Sequence, residues 1–404
     1  MSFRDIFAYI QANNAARETT DMRMRTKTMT LAMTALAAIF LCGACGRRQG
    51  EAGKDLTAAD TVLYAPRYAT GFEILGFKGR DSRVIRVTKP WQGADDTAME
   101  LFISRNGETP PASFKGNVIK DSVRSIAAMS SSHVAFLSLI GETSKVRAVS
   151  GLRFISDENV REDNESVIDV GYQDNADLEA LVAVSPDIVL LYGVSSSTPL
   201  EERLRELGLP YLYIGEYVEP HPLGKAEWVV ALAELTGERA KGERAFSMVS
   251  ENYERIRADA GDSGHKPKVM LNVPYGDTWF MPPLGSSMAR LVEDAGGEYV
   301  YRENDSGKTE PIDIEKALTL VSKADFWLNT GDIRTLSTLK DTYPAFSKAK
   351  CVMEGNIYNC DKRLGPNGGN DFWEKGQVRP DLVLSDLARI FQGDSDSLYF
   401  YRKL

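Results

Sequence analysis

A long helical pattern near the middle of the chain constrains the fold most. It runs from Leu223 to Ala260 with a predicted break at Gly237, and its second piece, Glu238 to Ala260, carries apolar residues on one stripe. At a rise of 1.5 Å per residue, that piece would span about 34 Å. Strand and helix signals alternate on both sides of it. The pattern predicts a rigid helix that joins two α/β lobes, and an ordinary helix within one large domain is the alternative that periodicity leaves open.

The two flanking segments are similar to each other. Each has a short helical pattern opened by an Asp with a Glu two residues later, and then an apolar strand that begins after an Asp and ends at a Gly. The copies span 177–193 and 313–331. Such a repeat indicates two equivalent lobes, with a chance match between common βα units as the alternative. Because ligands of open parallel sheets bind beyond the carboxyl ends of the strands, Tyr192 and Asn329 are expected to face each other across a cleft.

Chain length agrees with two lobes. A chain of 404 residues exceeds the size, about 250–300 residues, at which one core stops growing. Strand patterns between Val62 and Pro111 predict a small antiparallel sheet. The predicted fold class is α/β, with two similar α/β lobes joined by a long rigid helix and a small N-terminal β segment. The predicted boundaries are 1–45 for a signal, 46–61 for a tether, 62–117 for the β segment, 118–222 for the first lobe, 223–262 for the connecting helices and 263–404 for the second lobe.

Charge and motif content exclude several classes of function. The net charge of -9 argues against nucleic acid or an anionic membrane surface as a partner. The three histidines lie in separate contexts, so neither a site for a bare transition metal nor a cofactor is expected, and a metal would arrive inside a chelate. No phosphate-binding loop or His-Glu-x-x-His motif is present, and Ser337-x-x-Lys340 lacks the partner motifs of penicillin-recognising enzymes. The chain is not expected to be an enzyme.

The first 45 residues read as a secretion signal. Basic residues precede an apolar run at 31–41, which is shorter than the roughly 20 residues of a membrane span. The run ends in a sequence that resembles a bacterial lipoprotein box, with a cysteine in the slot usually taken by Leu, Val or Ile. Lipidation of Cys45 would tether the chain to a membrane, on the periplasmic side, and an uncleaved anchor is the weaker alternative. Met22 or Met24 is a candidate start.

The order of these elements resembles a known class of proteins. The stretches that carry the resemblance are Ser130–His133, the 177–193 unit, Leu291–Gly297 and Asn367–Leu387. Over residues 118–391 the chain is similar to the periplasmic binding proteins that serve iron-complex and cobalamin ABC importers, and its C-terminal part is similar to Bacteroidetes-type members. The resemblance implies a monomer that clamps a metal chelate, namely a ferric siderophore, corrinoid or haem, and hands it to the ABC permease dimer.

A pocket for a large, flat chelate needs aromatic walls and a few fixed polar groups. Arg153 suits an anionic ligand because guanidinium matches carboxylate geometry. Aromatic residues at strand ends are as often core residues, and haem is the least favoured ligand because no axial ligand faces the predicted cleft. The predicted ligand contacts are Arg153, Tyr192, Tyr275, Trp279, Phe280, Asn329, Phe372 and Trp373.

The resemblance also implies one surface glutamate on each lobe that docks on permease arginines. Glu293 matches the second-lobe position. Ala135 occupies the first-lobe position, where Glu142 could substitute. Ordinary exposed carboxylates are the alternative interpretation of both, and an exposed ion pair contributes only about 0.2–1 kcal/mol.

Two alternatives concern the cysteines and the function. Cys351 and Cys360 flank a predicted hairpin and could form a disulfide in an oxidising compartment, or they are two unrelated buried thiols. The competing function is that of a surface or periplasmic accessory lipoprotein that binds a protein partner. Such a protein would fill the space between Tyr192 and Trp279 with side chains.

Overall fold

The structure is a computed structural model that describes residues 59–94, 97–161, 166–194, 196–261, 264 and 266–404. The predicted signal with Cys45, and most of the predicted tether, lie outside the described residues. None of the helices in the described part of the chain has the length and apolar character that crossing a bilayer requires.

A five-stranded sheet opens the described chain. Its strands are β1 (Thr61–Tyr64), β2 (Phe72–Gly76), β3 (Arg83–Val87), β4 (Met99–Ser104) and β5 (Asn117–Lys120). On β2 and β3, Ile74 and Ile85 are buried, whereas Glu73 and Arg86 project from the opposite face and form an ion pair of 2.7 Å. The first four strands pair antiparallel in sequence order, and β5 pairs parallel with β4. The predicted β segment is confirmed, and β5 spans the predicted boundary at 117/118.

The first lobe is a parallel sheet with helices between its strands. Its elements are β6 (Ile126–Ala128), α1 (Ser131–Leu139), β7 (Val146–Val149), β8 (Ile168–Asp169), α2 (Leu178–Val184), β9 (Ile188–Leu191), α3 (Pro199–Leu207) and β10 (Tyr211–Tyr213). The strand order is β10-β9-β6-β7-β8, and every pairing is parallel. The chain runs from β6 outward to β8 and then returns to β9 on the other side of β6. A crevice is therefore expected beyond the carboxyl ends of β6 and β9.

Three helices connect the lobes, α4 (Pro222–Glu227), α5 (Val229–Thr236) and α6 (Arg239–Ala260). The predicted break is confirmed, because α5 ends at Gly237, whose φ of 81° is a left-handed conformation that glycine adopts without strain. Every residue of α5 is buried. The 22 residues of α6 make a helix of about 33 Å. Tyr253 on α6 donates a hydrogen bond of 2.6 Å to Asp294 of the second lobe, so the long helix is attached to that lobe.

The second lobe repeats the α/β plan. Its elements are β11 (Lys268–Leu271), β12 (Trp279–Met281), α7 (Ser287–Asp294), β13 (Glu298–Tyr299), β14 (Glu310–Ile312), α8 (Ile314–Val321), β15 (Phe326–Leu328), α9 (Leu336–Thr342), α10 (Lys350–Met353), β16 (Ile357–Asn359), α11 (Asp371–Val378), α12 (Pro380–Phe391) and β17 (Arg402–Lys403). The sheet order is β13-β11-β15-β16-β17, with only β17 antiparallel among these strands, and β12 pairs with β14 separately.

The repeated units adopt the same local structure. Asp177 caps α2 by accepting a hydrogen bond from the backbone N–H of Ala180, at 3.0 Å. Asp313 caps α8 in the same way through the N–H of Lys316, at 2.8 Å. Each capped helix leads into a buried strand, β9 or β15. The architecture is therefore the expected one, two similar α/β lobes joined by a long helix.

Of the two alternatives for the cysteines, the structure has the pair of separate buried thiols. Cys351 and Cys360 are both free and buried. Cys351 lies on helix α10 rather than on the first strand of a hairpin, and Cys360 follows β16. A turn and the strand β16 lie between the two cysteines, and neither cysteine takes part in a disulfide. Burial raises the pKa of the Cys351 thiol to about 12.

Candidate ligand-binding cleft

Tyr192 lies at the carboxyl end of β9, beside the crevice of the first lobe. Its backbone N–H donates to the side-chain oxygen of Gln173 at 3.1 Å, and its carbonyl accepts from the Gln173 amide at 2.6 Å. Burial raises the pKa of the Tyr192 phenol to about 12, and the charge of Asp174 adds to the shift. Tyr192 is a neutral, half-buried aromatic group fixed by its backbone.

Arg153 lies beyond the carboxyl end of β7, in a short turn. Asp169 accepts hydrogen bonds from the backbone N–H groups of Gly151 and Leu152, both at 3.0 Å, and so holds this turn. The Arg153 guanidinium lies 4.4 Å from the centre of the Phe154 ring. It is exposed and forms no ion pair with a described residue. Arg153 is therefore an available cation at the expected position.

The aromatic residues predicted after β11 divide into two groups. Tyr275 is 55% exposed in a tight turn closed by backbone hydrogen bonds with Thr278, and Phe280 is half-buried. Trp279 is fully buried, donates to the Leu271 carbonyl at 3.0 Å and packs 5.3 Å from the Trp327 ring. The expectation that Trp279 faces a ligand is corrected, because its side chain belongs to the core of the second lobe.

Two further predicted contacts are also interior residues. Asn329 is 8% exposed, and its side-chain oxygen accepts a hydrogen bond of 2.8 Å from the buried Tyr401 hydroxyl. Phe372 is 4% exposed and packs edge-on against Phe400 and Tyr401. These contacts stabilise the second lobe and leave little surface for a ligand. The neighbouring Trp373 is 38% exposed and stays a candidate contact.

A cavity of about 650 Å³ lies at the carboxyl ends of β15 and β16, and the sequence analysis did not find it. It is lined by Arg334, Asp361, Leu364, Gly365, Pro366, Gly368 and Arg402. Arg402 forms an ion pair of 2.7 Å with Asp361 and donates to the Arg334 carbonyl at 3.0 Å. The other carboxylate oxygen of Asp361 is buried and accepts no hydrogen bond from a described residue. The Arg334 guanidinium is exposed and has no ion pair with a described residue.

The glycine-rich loop of this cavity also contacts the first lobe. A side chain on Gly369 would place its Cβ 2.2 Å from the Phe154 carbonyl oxygen, so only glycine fits there. A Cβ on Gly368 would lie 3.8 Å from the Phe154 ring, on which Arg153 stacks. Arg153 therefore lies close to the arginine cavity of the second lobe. One loop therefore contacts Phe154 of the first lobe and also lines the cavity that contains Arg334 and Arg402.

A buried glutamate joins the lobes next to that loop. Glu374 on α11 accepts backbone hydrogen bonds from Ser156 at 2.7 Å and from Asp157 at 3.0 Å. Burial, together with the charges of Asp371 and Asp157, raises the pKa of Glu374 to about 7, and the two backbone donors oppose the shift. The Glu374 carboxyl group therefore joins the two lobes and changes its charge near neutral pH.

The glutamates predicted to dock on a permease both have intramolecular partners. Glu142 pairs with Lys241 at 3.0 Å and with Lys145 at 3.2 Å. Glu293 pairs with Arg302 at 2.7 Å and accepts from the Tyr299 backbone at 3.1 Å. Among the described residues, no group of three or more His, Cys, Asp or Glu could hold a metal ion.

Comparisons with known proteins agree with this architecture. A family model described as periplasmic binding protein matches residues 126–364. Two uncharacterized lipoproteins of Methanocaldococcus jannaschii are similar in sequence. One is 24% identical over 318 residues, 74% of either chain. The other is 26% identical over 255 residues, which cover 59% of this chain and 62% of the relative.

Solved structures share the fold. A periplasmic heme-binding protein from Pseudomonas aeruginosa has a TM-score of 0.55 at 16% identity, over 70% of this chain and 98% of its own. A periplasmic binding protein from Veillonella parvula has a TM-score of 0.53 at 13% identity, over 74% and 96% of the two chains. Because the family model matches more than half of the sequence, the chain belongs to the periplasmic binding protein family, whose members bind solutes.

Proposed function

We propose that the protein is the solute-binding lipoprotein of an ABC importer. It captures a metal chelate, namely a ferric siderophore, a corrinoid or haem, between its lobes and delivers it to the permease dimer in the inner membrane. Lipidation of Cys45 anchors it on the periplasmic side, and it acts as a monomer with the domain boundaries given above. Family membership and the lipoprotein names of the archaeal relatives support this proposal.

The arginine cavity of the second lobe is the observation that carries the proposal. Its volume of about 650 Å³ falls within the roughly 300–1,000 Å³ of small-molecule sites. Arg334 and Arg402 line it with a single acidic side chain, Asp361, and Arg153 adds another positive charge nearby. Guanidinium groups bind carboxylate and catecholate oxygens through paired, charge-assisted hydrogen bonds. The cavity therefore favours an anionic chelate.

The remaining contacts of the proposed site follow from exposure. Accessible aromatic surface remains on Tyr192, on Tyr275 and Phe280, and on Trp373 of helix α11. Glu142 and Glu293 serve as docking carboxylates if permease arginines replace their present lysine and arginine partners. The heme-binding protein from Pseudomonas aeruginosa has a similar fold, which supports the choice of ligand class without fixing the ligand.

A titration with defined chelates tests the function. Purified protein is titrated by calorimetry with ferric enterobactin, which is a polyanion, with haemin, with cyanocobalamin and with the cationic ferrioxamine B. We expect an anionic chelate to bind saturably, with one chelate per protein molecule, and ferrioxamine B to bind more weakly. Arg334→Ala should weaken binding by roughly 10- to 100-fold, as loss of a charge-assisted hydrogen bond of about 1.5–3 kcal/mol implies.

The control is Arg255→Ala on α6, which removes an exposed arginine that pairs with Asp259 and should leave affinity unchanged. A folded protein that binds none of the chelates would overturn the proposal and favour the accessory lipoprotein that binds a protein partner. If Arg334→Ala and Arg255→Ala lose the same amount of affinity, the ligand does not bind at the cavity.

A further inference from the structure

The N-terminal sheet reaches the ligand face of the first lobe through one loop. This loop, Lys89–Gln92, follows β3 and lies across the residues that succeed β9 and β10. A Cβ on Gly193, after β9, would lie 2.9 Å from the Trp91 ring. A Cβ on Gly215, after β10, would lie 2.3 Å from the Lys89 carbonyl oxygen. Both positions need glycine because another chain segment lies directly on them.

Hydrogen bonds and ring contacts hold the loop in this place. The Gln92 backbone N–H donates to the Tyr217 hydroxyl at 3.2 Å, and that hydroxyl donates to the Val194 carbonyl at 2.7 Å. The Trp91 ring packs edge-on against the buried Tyr213 ring, with 5.2 Å between centroids. The loop is thus tied to the segments that follow both strands.

A second anchor fixes the base of the loop. Glu219, which follows β10, is buried and accepts hydrogen bonds from the backbone N–H groups of Thr70 and Gly71 and from the Trp228 indole. The Gly71 carbonyl in turn accepts from the Thr88 N–H at 2.8 Å. The loop is therefore a rigid extension of the N-terminal sheet, and it rests on the carboxyl edge of the first lobe's sheet.

Trp91 lies beside the crevice of the first lobe. Trp91 covers Gly193, and Gly193 directly follows Tyr192 at the end of β9. The strand order of the sheet reverses beside β9, and the crevice is expected at that point. Trp91 is only partly buried, so some of its indole surface stays accessible. The family model begins at residue 126, so the loop lies outside the part of the chain that the model matches.

We propose that Trp91, supplied by the N-terminal sheet, forms with Tyr192 an aromatic wall on the first-lobe side of the ligand cleft and selects chelates with a large planar or aromatic face. This inference rests on the proposed function. The arginine cavity of the second lobe binds the anionic groups of the ligand, and the Trp91 wall binds its apolar rings by stacking. The N-terminal sheet is then a specificity element rather than a spacer between tether and lobes.

The test compares Trp91→Ala with Trp91→Phe, in the full-length protein, by calorimetric titration with ferric enterobactin, haemin and ferric citrate. We expect Trp91→Ala to weaken binding of the aromatic chelate that the wild type binds by about tenfold. Trp91→Phe should retain most of the affinity because it keeps an aromatic face. Ferric citrate, which has no ring, should respond equally to all variants. Val62→Ala, at an exposed position of the same sheet, is the control.

The outcomes separate the two proposals. If the wild type binds an aromatic chelate and Trp91→Ala binds it equally well, the aromatic wall is refuted and the proposed function stands. If both Trp91 variants lose affinity equally, together with a lower unfolding midpoint, Trp91 has only a packing role and the inference fails. If the folded wild type binds none of the chelates, the proposed function fails and this inference fails with it.

Discussion

The two lobes are alike at the amino ends of their strands and different at the carboxyl ends. Before β9, Asp187 accepts backbone hydrogen bonds from Arg124 and Ser125, which precede the neighbouring strand β6. Before β15, Asp325 accepts from the backbone N–H of Lys268, which begins the neighbouring strand β11. The same residue type thus holds the same pair of adjacent strands in each lobe.

At the carboxyl ends the similarity stops. Gly193 after β9 is covered by Trp91 and the rest of the loop from the N-terminal sheet. The residues after β15 and β16 border an open cavity with Arg334 and Arg402 in its wall. At the amino ends, Asp187 and Asp325 join adjacent strands through hydrogen bonds, so these residues have a structural role. The carboxyl ends are free to differ, and the difference yields one aromatic and one cationic face.

The largest expected effect concerns what attaches the N-terminal sheet to the connecting helix α4, on which Glu227 lies. Glu227 is fully buried and accepts hydrogen bonds of 2.7–2.8 Å from the Tyr64 hydroxyl and from the backbone N–H groups of Arg67, Tyr68 and Ala69. Glu227→Ala leaves these donors without an acceptor. We expect the free energy of unfolding to fall by about 4 kcal/mol, since hydrogen bonds to charged groups contribute roughly 1.5–3 kcal/mol each and are not additive.

Urea unfolding followed by circular dichroism measures this loss. Glu227→Gln keeps one side-chain oxygen as an acceptor and should lose clearly less stability than Glu227→Ala. A loss below about 1 kcal/mol for the alanine variant would mean that the N-terminal sheet is attached to α4 mainly by apolar contacts.

The second prediction concerns the contact that joins the lobes. The pKa of Glu374 is raised from its ordinary 4.5 to about 7 by burial and by the charges of Asp371 and Asp157. Between these values the folded protein binds more protons than the unfolded chain, so stability falls as pH rises. The contribution is complete below about pH 4.5 and is lost as pH passes 7, with a size on the order of 3 kcal/mol at about 1.4 kcal/mol per pKa unit.

Urea unfolding between pH 4.5 and 8 checks this sign. Glu374→Gln should make the fall in stability across that range smaller, because glutamine does not titrate. Glu315→Gln, at an exposed position on α8, should keep the wild-type slope. If Glu374→Gln leaves the dependence of stability on pH unchanged, the titrating group lies elsewhere and the contact between the lobes does not depend on pH.

Local features of the fold could be predicted from the sequence, because they depend on neighbouring residues. Gly237 ends a helix through its own φ angle, and Asp177 caps a helix through an N–H three residues away. Contacts between distant segments could not be predicted. Arg402 and Asp361 meet only because β17 pairs with β16, and no local pattern links the C-terminal residues to the cavity.

The orientation of the predicted aromatic residues shows the same limit. Trp279 and Phe280 are adjacent on β12, so strand alternation places one in the core and leaves the other half-buried. The sequence does not say which one is inside. No local sequence pattern marks Trp91 as a ligand contact, and only the close approach to Gly193 places it over the strand ends of the first lobe. Both assignments needed the tertiary structure.

The smallest expected effect tests the similarity of the lobes directly. Asp177→Ala and Asp313→Ala each remove a helix N-cap hydrogen bond, of 3.0 Å and 2.8 Å respectively. Each should lower the free energy of unfolding by about 1 kcal/mol, as is typical of a lost N-cap. Asparagine at either position keeps the cap and should change stability by only a few tenths of a kcal/mol.

The double variant distinguishes equivalent lobes from coupled ones. The two caps lie in different lobes with no shared hydrogen-bond partner, so the losses should add to within about 0.5 kcal/mol. Urea unfolding of the single and double variants supplies the numbers. A loss of stability several times larger at one cap than at the other would mean that the two repeated units contribute unequally to the stability of the fold, although their structures are alike. Their helices would then pack with unequal strength against their own sheets.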